Sequence, residues 1–264
     1  MADPNHCMNT AVVIPARNES ATIRAVAQRA LAQCPRVIVV DDGSTDGTHD
    51  ALRNLPVTVL RHAQSAGKGA SLLDGIREAI RSGAARIVTL DGDGQHAPEE
   101  IPRLLAVADR HPNAIVLGAR LRNRESVPWL RNFANHFADF WISWACGARI
   151  RDSQSGFRVY PATLFRDLVI NTRPDRGFVF ESEILIRAAE RGIGVKGVAI
   201  DAIYQTSTRP SFYRNRDTWR ITRMVAWSLI TRGLYLPGLY RAFNPYNVLP
   251  SDVDPTAENP KRLV

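Results

Sequence analysis

The chain has 264 residues, 45% hydrophobic and 23% charged, with a formal net charge of +8. These are the proportions of a soluble globular protein, long enough for one large α/β domain and a small appendage. No apolar run reaches the roughly 18 to 20 residues that span a bilayer, so a membrane-crossing protein is not expected.

In chain order, "AVVIP" (11–15), "RVIVVD" (36–41), "VTVL" (57–60), "RIVTLD" (86–91) and "AIVLG" (114–118) are short, β-branched and apolar at consecutive positions. Strands covered on both faces have this pattern. Helical stretches lie between them at 19–33, 47–54, 70–82 and 98–110, the last opened by Pro98 and the acidic pair Glu99–Glu100. Alternating strands and helices predict a doubly wound, mostly parallel sheet. After residue 120 come an aromatic stripe at 126–146, "RDSQSGFRVY" (151–160), predicted helices at 162–169 and 181–191, and a strand-like 194–204. A basic amphipathic stretch at 214–232 and a polar, Pro-containing tail finish the chain.

In an open parallel sheet, ligands bind beyond the carboxyl ends of the strands. Four polar clusters fall there. In "DGDGQHAPEEIP" (91–102) an extended chain would put Asp91, Asp93 and Gln95 on one face, where they could hold a hard divalent cation with substrate phosphates. A solvated glycine turn is the plainer reading of a lone D-x-D. The segment is not an EF-hand, because His96 and Pro102 stand at its glycine and closing-glutamate positions. "AQSAGKGAS" (63–71) is not a P-loop, since His62 and Gly69 break that pattern. Its Gly-Lys-Gly could bring Lys68 to a phosphate, or simply enter a helix. In "VVDDGSTDGT" (39–48) Asp42 could accept hydrogen bonds from a base or ribose, although in isolation a capping turn fits better. Pro15 to Glu19 forms the fourth cluster.

Taken in order, these motifs resemble those of the family 2 glycosyltransferases with a GT-A fold, and most closely the polyprenyl- and dolichyl-phosphate mannose or glucose synthases. The motifs are "VVIPARNESATI" (12–23), "VVDDGSTDGT", "AGKGASLLDGI" (66–76), "DGDGQHAPEEIP", "GAR" (118–120), "DSQSGFRVYP" (152–161) and "GFVFESEILIRA" (177–188). The resemblance implies an α/β, Rossmann-like domain that inverts configuration as it moves a hexose from a UDP- or GDP-linked sugar, with Mg²⁺ or Mn²⁺ as cofactor. It also implies roles. Pro15, Arg17, Glu19 and Asp42 would line the nucleoside pocket, and Asp91 would reach the ribose or the metal. Asp93 and Gln95 would hold the metal against the diphosphate, and Arg120 would grip phosphate. Asp152 and Glu183 match acidic positions beside the acceptor or sugar. Two positions depart from the family. Arg17 stands where an aromatic residue is frequent. Gln205 stands where the eukaryotic dolichyl enzymes carry a diphosphate-binding arginine, which makes Arg209 the candidate replacement.

The acceptor implied is a membrane lipid, polyprenyl phosphate, with Arg131 the candidate grip on its phosphate. Such a phosphate needs no general base. A hydroxyl acceptor, the alternative, would need one, and Asp152 is the candidate. The expected organisation is an extension (1–9), the GT-A domain (10–212), a basic amphipathic membrane-interfacial segment (213–243) and a flexible tail (244–264). In that segment Arg216, Arg220, Arg223 and Trp227 share one helical face and Ile221, Val225 and Leu229 the other. An anionic membrane surface is therefore an expected partner, with a separate membrane protein also compatible, while a helix packed on the core by Trp and solvated through Arg is the plainer reading of the same pattern. Of 34 basic residues 31 are arginine, which suits phosphate, although codon bias explains the excess equally well. Nucleic acid is not an expected partner, since acidic strand ends repel a polyanion. Three cysteines without metal-ligand spacing, and a first segment without a signal-peptide pattern, place the expected site in the cytoplasm, peripheral on the inner face of the membrane.

Overall fold

A computed structural model describes residues 7–120, 129–166, 168, 170, 179–201, 203 and 214–243, with backbone alone at 129–135, 179 and 214–220. Seven strands form one sheet: β1 (Thr10–Ala16), β2 (Val37–Asp41), β3 (Thr58–Arg61), β4 (Arg86–Thr89), β5 (Ala114–Arg120), β6 (Arg158–Pro161) and β7 (Gly194–Ile200). The helices are α1 (Ile23–Leu31), α2 (Thr48–Ala51), α3 (Lys68–Arg81), α4 (Ile101–Arg110), α5 (Trp129–Cys146), α6 (Val179–Glu190), α7 (Arg214–Thr231) and α8 (Leu236–Phe243). The spatial order is β3-β2-β1-β4-β6-β5-β7. All pairs are parallel except those of β6, which runs antiparallel between β4 and β5.

The continuous apolar runs are explained by burial on both faces. All seven residues of β1 are buried. Val13, Ile38 and Val40 face one core with α3, α5, α6 and α7, while Val12, Ile14 and Val39 face a second with α1 and α4. Gly75 lets α3 lie directly on the sheet, for a Cβ there would come 2.4 Å from Cγ1 of Val13. β1 and β4 are neighbours, with β2 and β3 to one side and β6, β5 and β7 to the other, so the order of the sheet reverses between them. Carboxylates at the ends of these two strands therefore meet in a crevice.

Three sequence expectations need correction. β6 was not predicted, because its four residues carry no repeating pattern. The helix expected at 162–169 is a single 3₁₀ turn, Ala162–Phe165. Helix α1 begins at Ile23 rather than residue 19, because residues 18–22 hold the neighbouring loops instead. Among the described residues no helix is long and apolar enough to cross a membrane. The expected tail, 244–264, lies outside the described residues.

Candidate active site

The chain leaves β4 after Thr89 and turns through Asp91–Gln95, with Gly94 at φ 74° and the Gln95 N–H donating to Asp93 Oδ1 at 3.0 Å. It is not the extended segment expected from the sequence. Exposure alternates nevertheless: Asp91, Asp93 and Gln95 are half-buried, and Gly92, Gly94 and His96 are buried. Thr22 ties this turn to the start of α1, donating from Oγ1 to the Gly92 carbonyl at 2.7 Å.

Asp91 is the best-supported of these carboxylates. Lys68, at the first position of α3, lies 2.7 Å from Asp91 Oδ1 and 2.9 Å from Oε1 of the buried Glu181 on α6. Burial alone would raise the Asp91 carboxyl, but Lys68, His96 and Arg120 outweigh it and hold the group below the usual range. The pair of acids in turn holds the Lys68 ammonium protonated against burial. Gly156 closes the other side. A Cβ there would lie 2.5 Å from Asp91 Oδ2 and 2.7 Å from Oδ1, so only glycine admits the carboxylate.

The neighbouring acids differ. Burial and the charge of Asp91 raise the Asp93 carboxyl. Burial and then Asp93 raise Glu19 to about 7. Carboxylates that oppose one another's ionisation at a cleft are relieved by a cation. Among the described residues no three His, Cys, Asp or Glu side chains converge on one point. A metal here would draw the rest of its shell from water and substrate oxygens, the habit of Mg²⁺ and Mn²⁺. The donor set fits such an ion, with Asp91, Asp93 and Gln95 as the residues available to hold it.

Asp42 supports a loop in this structure. Its carboxylate accepts from Ala66 N–H at 2.7 Å, Gly67 N–H at 3.0 Å and Ser65 Oγ at 2.7 Å, and lies 2.8 Å from His62 Nδ1. These bonds shape the loop that delivers Lys68. Pro15 is buried within β1, while Arg17 is exposed at its end.

Across the crevice, Asp152 and Arg120 form a clamp. Arg120 Nε donates to Asp152 Oδ2 at 2.8 Å and its terminal nitrogen to Oδ1 at 2.7 Å, with the Arg120 backbone N–H adding a third bond at 2.8 Å. Burial would raise the Asp152 carboxyl, but Arg120 holds it below the usual range. Asp152 adopts φ 55°, and Asp139 of α5 sustains that turn by accepting from the backbone N–H groups of Asp152 (2.9 Å) and Ser153 (2.8 Å). Arg158, fully buried, braces the same loop by donating to the carbonyls of Ser153, Ser155 and Glu181. Glu183 is buried on α6, 3.9 Å from Arg187. The side chain of Arg131 and all of Arg209 lie outside the described residues.

Sequence reasoning missed Glu181, Asp139, Arg158 and Gly156. Asp139 lies outside every motif, within the aromatic stripe. Gly156, Arg158 and Glu181 sit within motifs named above, but nothing local says what each must touch.

The profile of "Glycosyl transferase family 2" matches residues 11–169, well over half of the chain. The chain belongs to glycosyl transferase family 2. Within that family it is 32% identical over 202 residues to the polyprenol monophosphomannose synthase of Mycolicibacterium smegmatis, covering 72% of this chain and 76% of the relative. It is 28% identical over 214 residues to the UDP-N-acetylglucosamine–dolichyl-phosphate N-acetylglucosaminyltransferase of Methanococcus voltae, covering 73% and 85%. In solved structures the fold matches the glucosyl-3-phosphoglycerate synthase of Mycobacterium tuberculosis in complex with Mn²⁺, UDP and phosphoglyceric acid. That match has a TM-score of 0.62 and 21% identity, covering 85% of this chain and 78% of that one. The architecture is therefore the expected GT-A fold, and this family 2 member is a glycosyltransferase.

Proposed function

We propose that the enzyme transfers a hexose from a UDP- or GDP-linked sugar to a polyprenyl phosphate, with inversion at the sugar carbon. The names of the two relatives support a lipid-phosphate acceptor, and they differ in the sugar moved. Bound Mg²⁺ or Mn²⁺, held by Asp91, Asp93 and Gln95, would neutralise charge on the departing diphosphate. Lys68 keeps Asp91 ionised, while Glu19, Arg17 and Asp42 would border the nucleoside.

The observation that carries the choice of acceptor is the clamp between Asp152 and Arg120. A general base works best with a pKa near the operating pH and a free lone pair. Asp152 is held well below that range, with both oxygens engaged. A phosphate monoester, with a second pKa of about 6, is already largely anionic at neutral pH and needs only to be placed. The clamp suits orientation rather than deprotonation.

The test offers the purified enzyme radiolabelled UDP- and GDP-hexoses with either a short-chain polyprenyl phosphate or the matching polyprenol. Labelled product from the phosphate alone, lost in chelator and in Asp93→Ala, is expected. Product from the polyprenol alone, abolished by Asp152→Asn, would overturn the proposal in favour of a hydroxyl acceptor.

A further inference from the structure

Helix α8 is turned inside out. Its small residues, Gly238 and Ala242, are buried, while Leu236, Tyr240 and Phe243 are 63%, 73% and 65% exposed. An amphipathic helix of a globular protein normally does the reverse. On α7, Ile221, Val225 and Leu229 pack inward, and Trp227 and Ile230 are 69% and 62% exposed. Leu234, in the connection between the two helices, is also exposed.

The arrangement is held in place. Leu234 and Tyr235 adopt φ 63° and 38°, a turn that costs most side chains energy. Trp144 of α5 donates from Nε1 to the Leu234 carbonyl at 3.0 Å, and Arg232 stacks 3.9 Å over the Tyr235 ring. The Phe140 and Phe243 rings lie 5.5 Å apart, joining α5 to α8. Six of the nine exposed large hydrophobic side chains among the described residues fall between 227 and 243, and such a concentration marks an interaction site.

Charge decides the partner. From residue 214 to 243 there are six arginines and a single acid, Asp217. Arg223 and Arg241 are exposed on the same two helices, and Trp227 borders Glu183, Arg187 and Glu190 of α6. Exposed Trp and Tyr with Arg suit the headgroup layer of a bilayer, where rings enter the acyl boundary and guanidinium groups meet lipid phosphate. We infer that the outer face of α7 and α8 docks on an anionic lipid bilayer. The inference deepens the lipid-acceptor reading above, and rests on it for the choice of lipid over protein.

The test is cosedimentation of the full chain with phosphatidylcholine vesicles, with and without phosphatidylglycerol. Binding to the anionic vesicles is expected, weakening as salt rises from about 50 mM to about 0.5 M. Leu236→Ser with Tyr240→Ser should weaken it about tenfold or more while leaving the thermal midpoint unchanged, because both side chains are exposed. Turnover on a water-soluble short-chain acceptor should be the same in this variant and the parent. Absence of vesicle binding, or equal binding by the variant, would overturn the inference. So would a dimer in solution that the variant dissolves, because a second copy would then cover the face. If vesicles bind but no phosphate acceptor is glycosylated, docking stands and the acceptor reading fails.

Discussion

Gly156→Ala is the most searching single change, because one added carbon is aimed at the carboxylate that Lys68 holds. The new Cβ would lie 2.5 Å from Asp91 Oδ2, 2.7 Å from Oδ1 and 2.8 Å from Cγ. A Cβ atom essentially never comes within 3.0 Å of a non-bonded neighbour, so the carboxylate must retreat by about 0.5 Å or the loop before β6 must yield. Retreat stretches the 2.7 Å contact with Lys68, an interaction of a class worth about 1.5 to 3 kcal/mol. Overpacking by one methyl typically costs about 1 to 3 kcal/mol. A fall of about 5 °C in the thermal midpoint is expected for a chain of this size. Misplacement of a catalytic group by about 1 Å costs on the order of 100-fold, so a loss in kcat of about 10- to 100-fold is expected here. Steady-state transfer and thermal unfolding measure both quantities. Gly194→Ala is the control, since nothing lies within 4 Å of a Cβ there. If Gly156→Ala turned over and melted like the parent, the close fit between Gly156 and Asp91 would be wrong.

Lys68→Met should destabilise the fold by about 2 kcal/mol, leaving Asp91 and Glu181 close together without their shared cation. Adding Glu181→Gln to that variant should restore part of the loss in a denaturant titration, whereas simple additivity would exclude the shared ion pair. Asp139→Ala, which frees the Asp152 turn, should lower kcat about tenfold with little change in the donor KM. Asp139→Asn should recover part of that loss, and equal defects in both variants would count against a positioning role. Asp42 has its carboxyl lowered in the folded state, since its hydrogen bonds from the 62–67 loop outweigh burial. Its contribution is therefore present above the unfolded value of about 3.9 and is lost as pH falls through the lower folded value. The melting gap between the parent and Asp42→Asn should hold steady from neutral pH down to about 5 and close below about 4. A gap that widened on acidification would contradict the assignment.

The strands were legible because the sheet is covered on both faces, which turns β1 and β2 into unbroken apolar runs. Their carboxyl ends then located Glu19, Asp42, Asp91 and Asp93 together without any knowledge of side-chain contacts. What escaped depends on distant pairing. Lys68 and Glu181 lie 113 positions apart, and the reading of Lys68 as a phosphate contact or a helix entry carries no sign of the acid it pairs with. Arg158 is fully buried, contrary to what an arginine in a short polar stretch suggests. Asp139 sits among aromatic residues on α5, where the amphipathic pattern conceals its role as the brace of a distant loop.

The reversed direction of β6 bears on how the segment between β5 and β6 can change. β5 ends at Arg120 and β6 begins at Arg158, and the antiparallel pairing returns the chain to the sheet edge it left. The intervening 37 residues, α5 among them, are thus an excursion with both anchors on one rim. Exchanging that excursion keeps the rim intact only where the replacement also supplies Asp139, Asp152, Gly156 and the buried face of α5 at Ile142 and Ala145. Under the proposed function, grafting this interval with those residues kept is the way to ask whether it selects the acceptor.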